Sequence, residues 1–177
     1  VATTLIEVAD TAVKIGLGGL ITLVGTFFIA KLNHKHEYKK DRQKRFHDAL
    51  ELVSEQIEEM THVSLRYWAF VTEWVRNNQK DLGLTDKRQQ ELDKTKIELF
   101  DQFKNLTVAE SKLLLLGLKV PSQLLRDYGV FLKEMRRDYY DGKKSITEKQ
   151  MEEVRTTLLA KRESLFQSLS SSYKNDL

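Results

Sequence analysis

The sequence predicts an all-α protein in which an N-terminal transmembrane helix continues into a cytoplasmic helical bundle, the whole assembled as a homo-oligomer. Three observations predict it. The sixteen residues from Ile15 to Ala30 carry no charge, and a lysine stands at either end, Lys14 and Lys31. An apolar run of about 20 residues crosses a bilayer core, and this one reaches if both lysine side chains extend outward to the headgroups. The 177 residues hold one Pro and eight Gly, four of them (Gly16, Gly18, Gly19 and Gly25) inside the apolar run, so the rest has almost no strand or turn punctuation. Beyond the run, apolar residues recur at spacings of three and four, the period of packed helices.

Taken in order, Thr4 followed by Glu7 forms a capping box that starts the first helix near Leu5. From Thr26 to Leu82 there is neither Gly nor Pro, so this helix is expected to run on until Gly83 ends it. Its soluble part carries one seam: Phe46, Leu50, Val53, Ile57, Met60, Ser64, Tyr67, Val71 and Trp74. Around Leu65 to Val75 the face widens to include Trp68, Ala69, Phe70 and Val75, which predicts burial on several sides. Asp86 with Gln89 is expected to open a second helix presenting Leu92, Ile97, Leu99, Phe100 and Phe103, and Thr107 with Glu110 a third containing Leu113 to Leu116 and Leu118. Pro121, whose fixed φ suits a first turn, restarts the chain as a helix with Leu124, Leu125, Tyr128, Phe131, Leu132 and Met135, ending near Gly142. Thr147 with Gln150, or Ser145 with Glu148, begins the last helix, through Met151, Val154, Leu158, Leu165 and Leu169. The bundle is expected to have four or five helices. The chain divides into residues 1–32, tail and span, and residues 33–177, a basic collar and the bundle.

Charge orients the chain. The net charge is +3, yet residues 31–47 alone hold seven Lys/Arg against two acids, a local +5, which leaves the remainder at −2. A basic cluster directly after a span stays on the cytoplasmic side and is drawn to anionic headgroups, so Lys31, Lys35, Lys39, Lys40, Arg42, Lys44 and Arg45 form a collar at the membrane surface. The expected location is the inner membrane, single-pass, with the N-terminus outside and the bundle in the cytoplasm. A cleaved signal peptide fits poorly, for want of a basic leader and a small-residue cleavage site. Having no cysteine, the chain forms no disulfide or thiolate metal site.

The apolar run is sorted. At about 100° per residue, Thr4, Thr11, Lys14, Gly18, Thr22 and Gly25 fall on one stripe, with Val13, Leu17, Leu20 and Val24 opposite. Lipid surrounds a lone anchor equally and gives no reason for such sorting. Small and hydroxylated residues let helices approach closely or line water, and intramembrane charge avoids lipid. Lys14, Gly18, Thr22 and Gly25 are therefore the expected lining of a pore between copies, although Gly is also common in membrane helices at large.

Other chemistry is poorly supported. His34 and His36 lie on different helix faces, and Glu59 with His62 is a single Glu-x-x-His where a di-iron site needs two, so no metal is expected. No phosphate-binding loop, dinucleotide fingerprint or nucleophile elbow is present, and no cofactor is expected. The collar suits RNA electrostatically as well as lipid.

Arg42-Gln43-Lys44-Arg45-Phe46-His47 has the R-x4-H spacing of HEPN domains, helical bundles of which many are metal-independent ribonucleases. With its span and short helical bundle, the chain resembles the small accessory membrane proteins found beside the RNA-targeting nuclease of type VI-B CRISPR loci. The resemblance implies a divergent HEPN-like bundle, an octameric pore, and a role in enhancing antiviral defence by permeabilising or depolarising the membrane when the RNA-guided nuclease is activated. It makes Arg42 and His47 a HEPN-like pair of structural or regulatory role rather than a catalytic one, because the motif opens the bundle instead of coming late in it. The expected partners are further copies of the chain, membrane lipid, and that CRISPR nuclease or RNA. The chain is not expected to be an enzyme. The rival readings are an anchored scaffold recruiting a cytoplasmic partner and a membrane-tethered HEPN-type ribonuclease.

Overall fold

Spacings of three, four and seven dominate the apolar pattern, and most of the described residues answer them with helix. The computed structural model describes the backbone of residues 5–175 and the side chains of residue 37 and residues 39–174. Four helices occupy these residues: α1 (Leu5–Asn78), α2 (Asp86–Leu115), α3 (Lys119–Asp138) and α4 (Glu148–Asn175), with no strand among them. The all-α class is thus as the sequence predicts. The chain falls into two compact units, Val1–Arg45 and Phe46–Leu177. No helix among the described residues is long and apolar enough to cross a membrane. The side chains of Lys14 and of the apolar run 15–30, which holds Gly18, Thr22 and Gly25 of the expected pore stripe, lie outside the described residues, as do those of Lys31 and Lys35.

The second unit is an up-down-up-down bundle of α2, α3, α4 and the part of α1 from Phe46 onward. Arg66 pairs with Glu98 and Glu73 with Arg88, so α1 and α2 are antiparallel. Glu58 with Arg162 and Arg76 with Glu148 set α4 antiparallel to α1. Helix α3 runs parallel to α1, the two joined through the core by the hydroxyls of Thr61 and Tyr128, 2.7 Å apart, and by the Tyr67 hydroxyl donating to the Tyr139 carbonyl. The predicted α1 seam is buried from Leu50 to Val71, with Phe46 and Trp74 half-buried at its ends. On α2 the buried residues Leu92, Leu99, Leu106 and Leu113 recur every seventh position, holding one stripe against the bundle over the whole helix.

That unbroken stripe explains why the two helices expected over 86–118 are one. Thr107 does not cap a new helix; its hydroxyl donates back to the Phe103 carbonyl in mid-helix, as threonines inside helices do. The first cap is also shifted: Thr85, not Asp86, is the N-cap and accepts from the Arg88 backbone N–H, while Gln89 reaches out to Asp93 and Asp141. Helix α1 stops at Asn78 rather than at Gly83, because Asp81 takes the left-handed conformation (φ 57°) and Leu82 N–H bonds the Asn77 carbonyl. Aspartate is among the few non-glycine residues that visit this region readily. Helix α3 begins two residues before Pro121, whose missing N–H costs nothing in a first turn. Thr147 and Gln150 form the reciprocal capping box that opens α4.

Helix α2 ends where Gly117 adopts φ 76°, with Leu118 N–H on the Leu113 carbonyl and Gly117 N–H on the Leu114 carbonyl. This is the Schellman arrangement, which wants glycine at its left-handed residue. Gly117→Ala is expected to lower stability by about 1 kcal/mol through backbone strain. Nothing lies within 4 Å of the added methyl, so urea denaturation reads the strain without a clash.

Candidate functional site

The basic segment belongs to the first unit. Lys39, Lys40, Arg42, Lys44 and Arg45 are all exposed on α1. At about 100° per residue these five side chains point all round the helix rather than to one side. An encircling collar meets a planar sheet of headgroups equally from any side, whereas a nucleic-acid groove wants its cations on one face.

His47 belongs to the second unit and Arg42 to the first. The His47 ring is half-buried and stacked on Tyr173 of the last turn of α4, with centroids 4.1 Å apart and planes 23° from parallel, and Phe46 meets it edge-on at 5.9 Å. Its Nε2 is out of contact with water and has no hydrogen-bond partner among the described residues. A general acid or base must reach the proton that it moves. Covered by tyrosine, His47 instead closes the α1/α4 seam at this end of the bundle, above a groove of about 410 Å³ lined by Leu50, Glu51, Ser54, Phe166 and Leu169. Glu59 and His62 are both exposed, and no group of three metal-binding side chains stands among the described residues.

A larger concavity, about 690 Å³, lies between α1 and α2 over Phe70. Arg88 sits 5.4 Å above the Phe70 ring, pairing with Glu73 at 3.4 Å and Glu91 at 3.1 Å, and Arg66 pairs with Glu98 at 2.5 Å. Its arginines are met by carboxylates of the same groove, so it offers an anion little uncompensated charge. Sequence reading missed this groove, since its residues are spread over two helices and none forms a local motif.

Two polar clusters hold the bundle in register. Lys96 bridges Asp93 at 2.9 Å and Asp141 at 2.7 Å, and Gln89 donates to Asp141, tying α2 to the α3–α4 loop. Burial works against the Asp141 charge but is outweighed by the hydrogen bonds from Lys96 and Gln89, which hold its carboxyl below the usual range. The second cluster is the pair of core tyrosines. Burial pushes the phenols of Tyr67 and Tyr128 up to about 12, Asp141 adding to the effect at Tyr67 while the hydrogen bond with Thr61 opposes it at Tyr128.

A pH dependence follows. An unfolded tyrosine ionises near about 10, so above that pH the unfolded chain binds fewer protons than the folded one, and stability falls as pH rises. The contribution is complete below about pH 10 and lost through the window up to about 12. Urea midpoints measured across this window are expected to fall less steeply for Tyr67→Phe than for the native chain.

With the geometry in view, comparison with protein-family models, curated proteins and solved structures gives no match to this chain.

Proposed function

We propose that this chain is a homo-oligomeric inner-membrane pore protein, anchored by residues 15–30 with its bundle in the cytoplasm. The observation that carries the reading is the uncharged run of sixteen residues followed at once by a collar of cations, the described members of which are exposed all round α1. Sorting of small and hydroxylated residues onto one stripe of that run supports association of copies around Lys14, Gly18, Thr22 and Gly25. In the proposed mechanism ions leak through the ring of N-terminal helices, the collar sets its depth, and the bundle receives the trigger. The architecture and the R-x4-H spacing of Arg42 and His47 support placing that trigger in a CRISPR defence system, as activation of an RNA-guided nuclease. Ribonuclease activity is not part of the reading, because the His47 ring is covered by Tyr173.

The test is efflux of a trapped dye from liposomes, together with the mass of the detergent-extracted protein. Leak and a multi-copy mass are expected. Intact vesicles at saturating protein sink the pore. A single-copy mass would leave an anchored scaffold.

A further inference from the structure

Helix α2 carries two apolar stripes, and the bundle uses one of them. Opposite the buried line of Leu92, Leu99, Leu106 and Leu113, Ile97 is 65% exposed, Val108 41% and Leu115 88%. At about 100° per residue, these three and Lys104 fall within about 20° of one line. Phe100 borders it, 63% exposed although the Arg136 guanidinium of α3 lies 5.5 Å from its ring centre.

Charge on the helix is sorted as well. On its flanks Arg88 is met by Glu73 and Glu91, Glu98 by Arg66 and Glu110 by Arg126, all inside the bundle. Asp101 and Lys112, on the edge of the outer stripe nearer α1, make no ion pair among the described residues. The pattern is its own complement when read backwards. With a second α2 turned end for end and Ile97 set against Leu115 of the copy, Lys104 meets Val108, and Asp101 comes level with Ser111 and Lys112. A half-turn makes each of these contacts twice. The Lys104 stem then lies along Val108 with its ammonium at the rim. Side by side in the same direction, Asp101 would instead face Asp101 and Lys112 face Lys112, which opposes association.

We infer that the outer face of α2, from Ile97 to Leu115, is an interface with a second copy of this chain, the two helices antiparallel with Ile97 on Leu115 and Asp101 paired with Lys112. Apolar side chains at helical spacing supply the attraction, and the charges fix the direction. Helix α2 runs back along α1 for about 45 Å at about 1.5 Å per residue, so Leu115 lies at the Phe46 end of its own bundle. The pair therefore sets the two Phe46 ends at opposite ends of the contact. A bilayer holds both copies when the axis of the half-turn stands along its normal. The contact lies within the unit Phe46–Leu177 and does not rest on the pore reading.

The chain has no cysteine, so Ile97→Cys and Leu115→Cys place unique thiols on the full-length protein. A disulfide forms only where the two Cα atoms come within about 7 Å. In the antiparallel pair like positions stand about 27 Å apart, at about 1.5 Å per residue, while 97 meets 115. The detergent-extracted variants are oxidised with copper phenanthroline and run on a non-reducing gel. The expected result is a covalent dimer from the double variant and from the two single variants co-expressed, and none from either single variant alone. A dimer from a single variant alone means parallel copies and overturns the inference. A ladder of longer products from the double variant means head-to-tail contacts and overturns it too, as does the absence of any product. In the double-cysteine background Asp101→Lys is expected to weaken the dimer several-fold, and Lys112→Asp added to it to restore the dimer; a dimer unchanged by Asp101→Lys overturns the register. Dye leak from liposomes without the cross-link overturns the pairing and leaves the pore standing, whereas the cross-link without leak supports the pairing and sinks the pore.

Discussion

Replacing Leu20 and Val24 by arginine is expected to release the chain from membranes and abolish dye leak. Each arginine near the centre of a span costs about 2.5 to 3.5 kcal/mol on insertion scales, and these two positions lie on the bulky face that the pore reading turns toward lipid. With sixteen uncharged residues, the run is already near the lower limit for a span and cannot slide to exclude them. The bundle is the separate unit Phe46–Leu177, so its melting temperature is expected to stay where it was. Flotation of the double variant with lipid would show that residues 15–30 do not cross the bilayer. Gly18→Leu with Gly25→Leu forms the complementary case: greater apolarity keeps the protein in the membrane, while filling the small-residue stripe is expected to lower the number of copies seen in detergent.

The largest loss of stability is expected at Tyr128. This residue is fully buried, and its hydroxyl lies 2.7 Å from that of Thr61. Thr61 commits its own proton to the Ile57 carbonyl at 2.7 Å, so Tyr128 donates and Thr61 accepts. Tyr128→Phe removes the donor without stranding a partner, since Thr61 keeps its bond to Ile57, and is expected to cost about 1 kcal/mol. Tyr128→Ala leaves a cavity between α1 and α3 where a whole ring stood, a change that costs about 3 to 5 kcal/mol in closely packed cores. Against the 5 to 15 kcal/mol typical of single domains, that is a large part of the total. Urea denaturation of both variants separates the terms; equal losses would mean that the ring contributes nothing beyond its hydroxyl.

Much of the bundle was legible locally. Val53, Ile57, Met60, Tyr67 and Val71 on α1, Leu125, Leu132 and Met135 on α3, and Met151, Leu158 and Leu165 on α4 are buried where their spacing predicts. The Thr147 and Gln150 box opens α4 because its chemistry is complete within four residues. Where a motif of the same form sat inside a longer seam, it misled. Thr107 and Glu110 spell a capping box, yet Leu106 and Leu113 on either side belong to one stripe, and burying that stripe outweighs a cap. Ile97, Phe100 and Ala69 read as core and are exposed. Phe100 instead lies under the Arg136 guanidinium, 5.5 Å from its ring centre, a contact between α2 and α3 that no spacing within one helix announces.

The candidate site divides the same way. That Lys39 to Arg45 form a cationic stretch after an apolar run follows from composition, as do the helical class and the absence of disulfides, because each depends on residue type and order alone. That His47 lies under Tyr173, that burial raises the phenol pKa of Tyr67 and Tyr128, and that Leu115 stands exposed at the Phe46 end of the bundle depend on which helices meet. Those residues are separated by tens of positions along the chain, and only packing brings them together or leaves them facing outward.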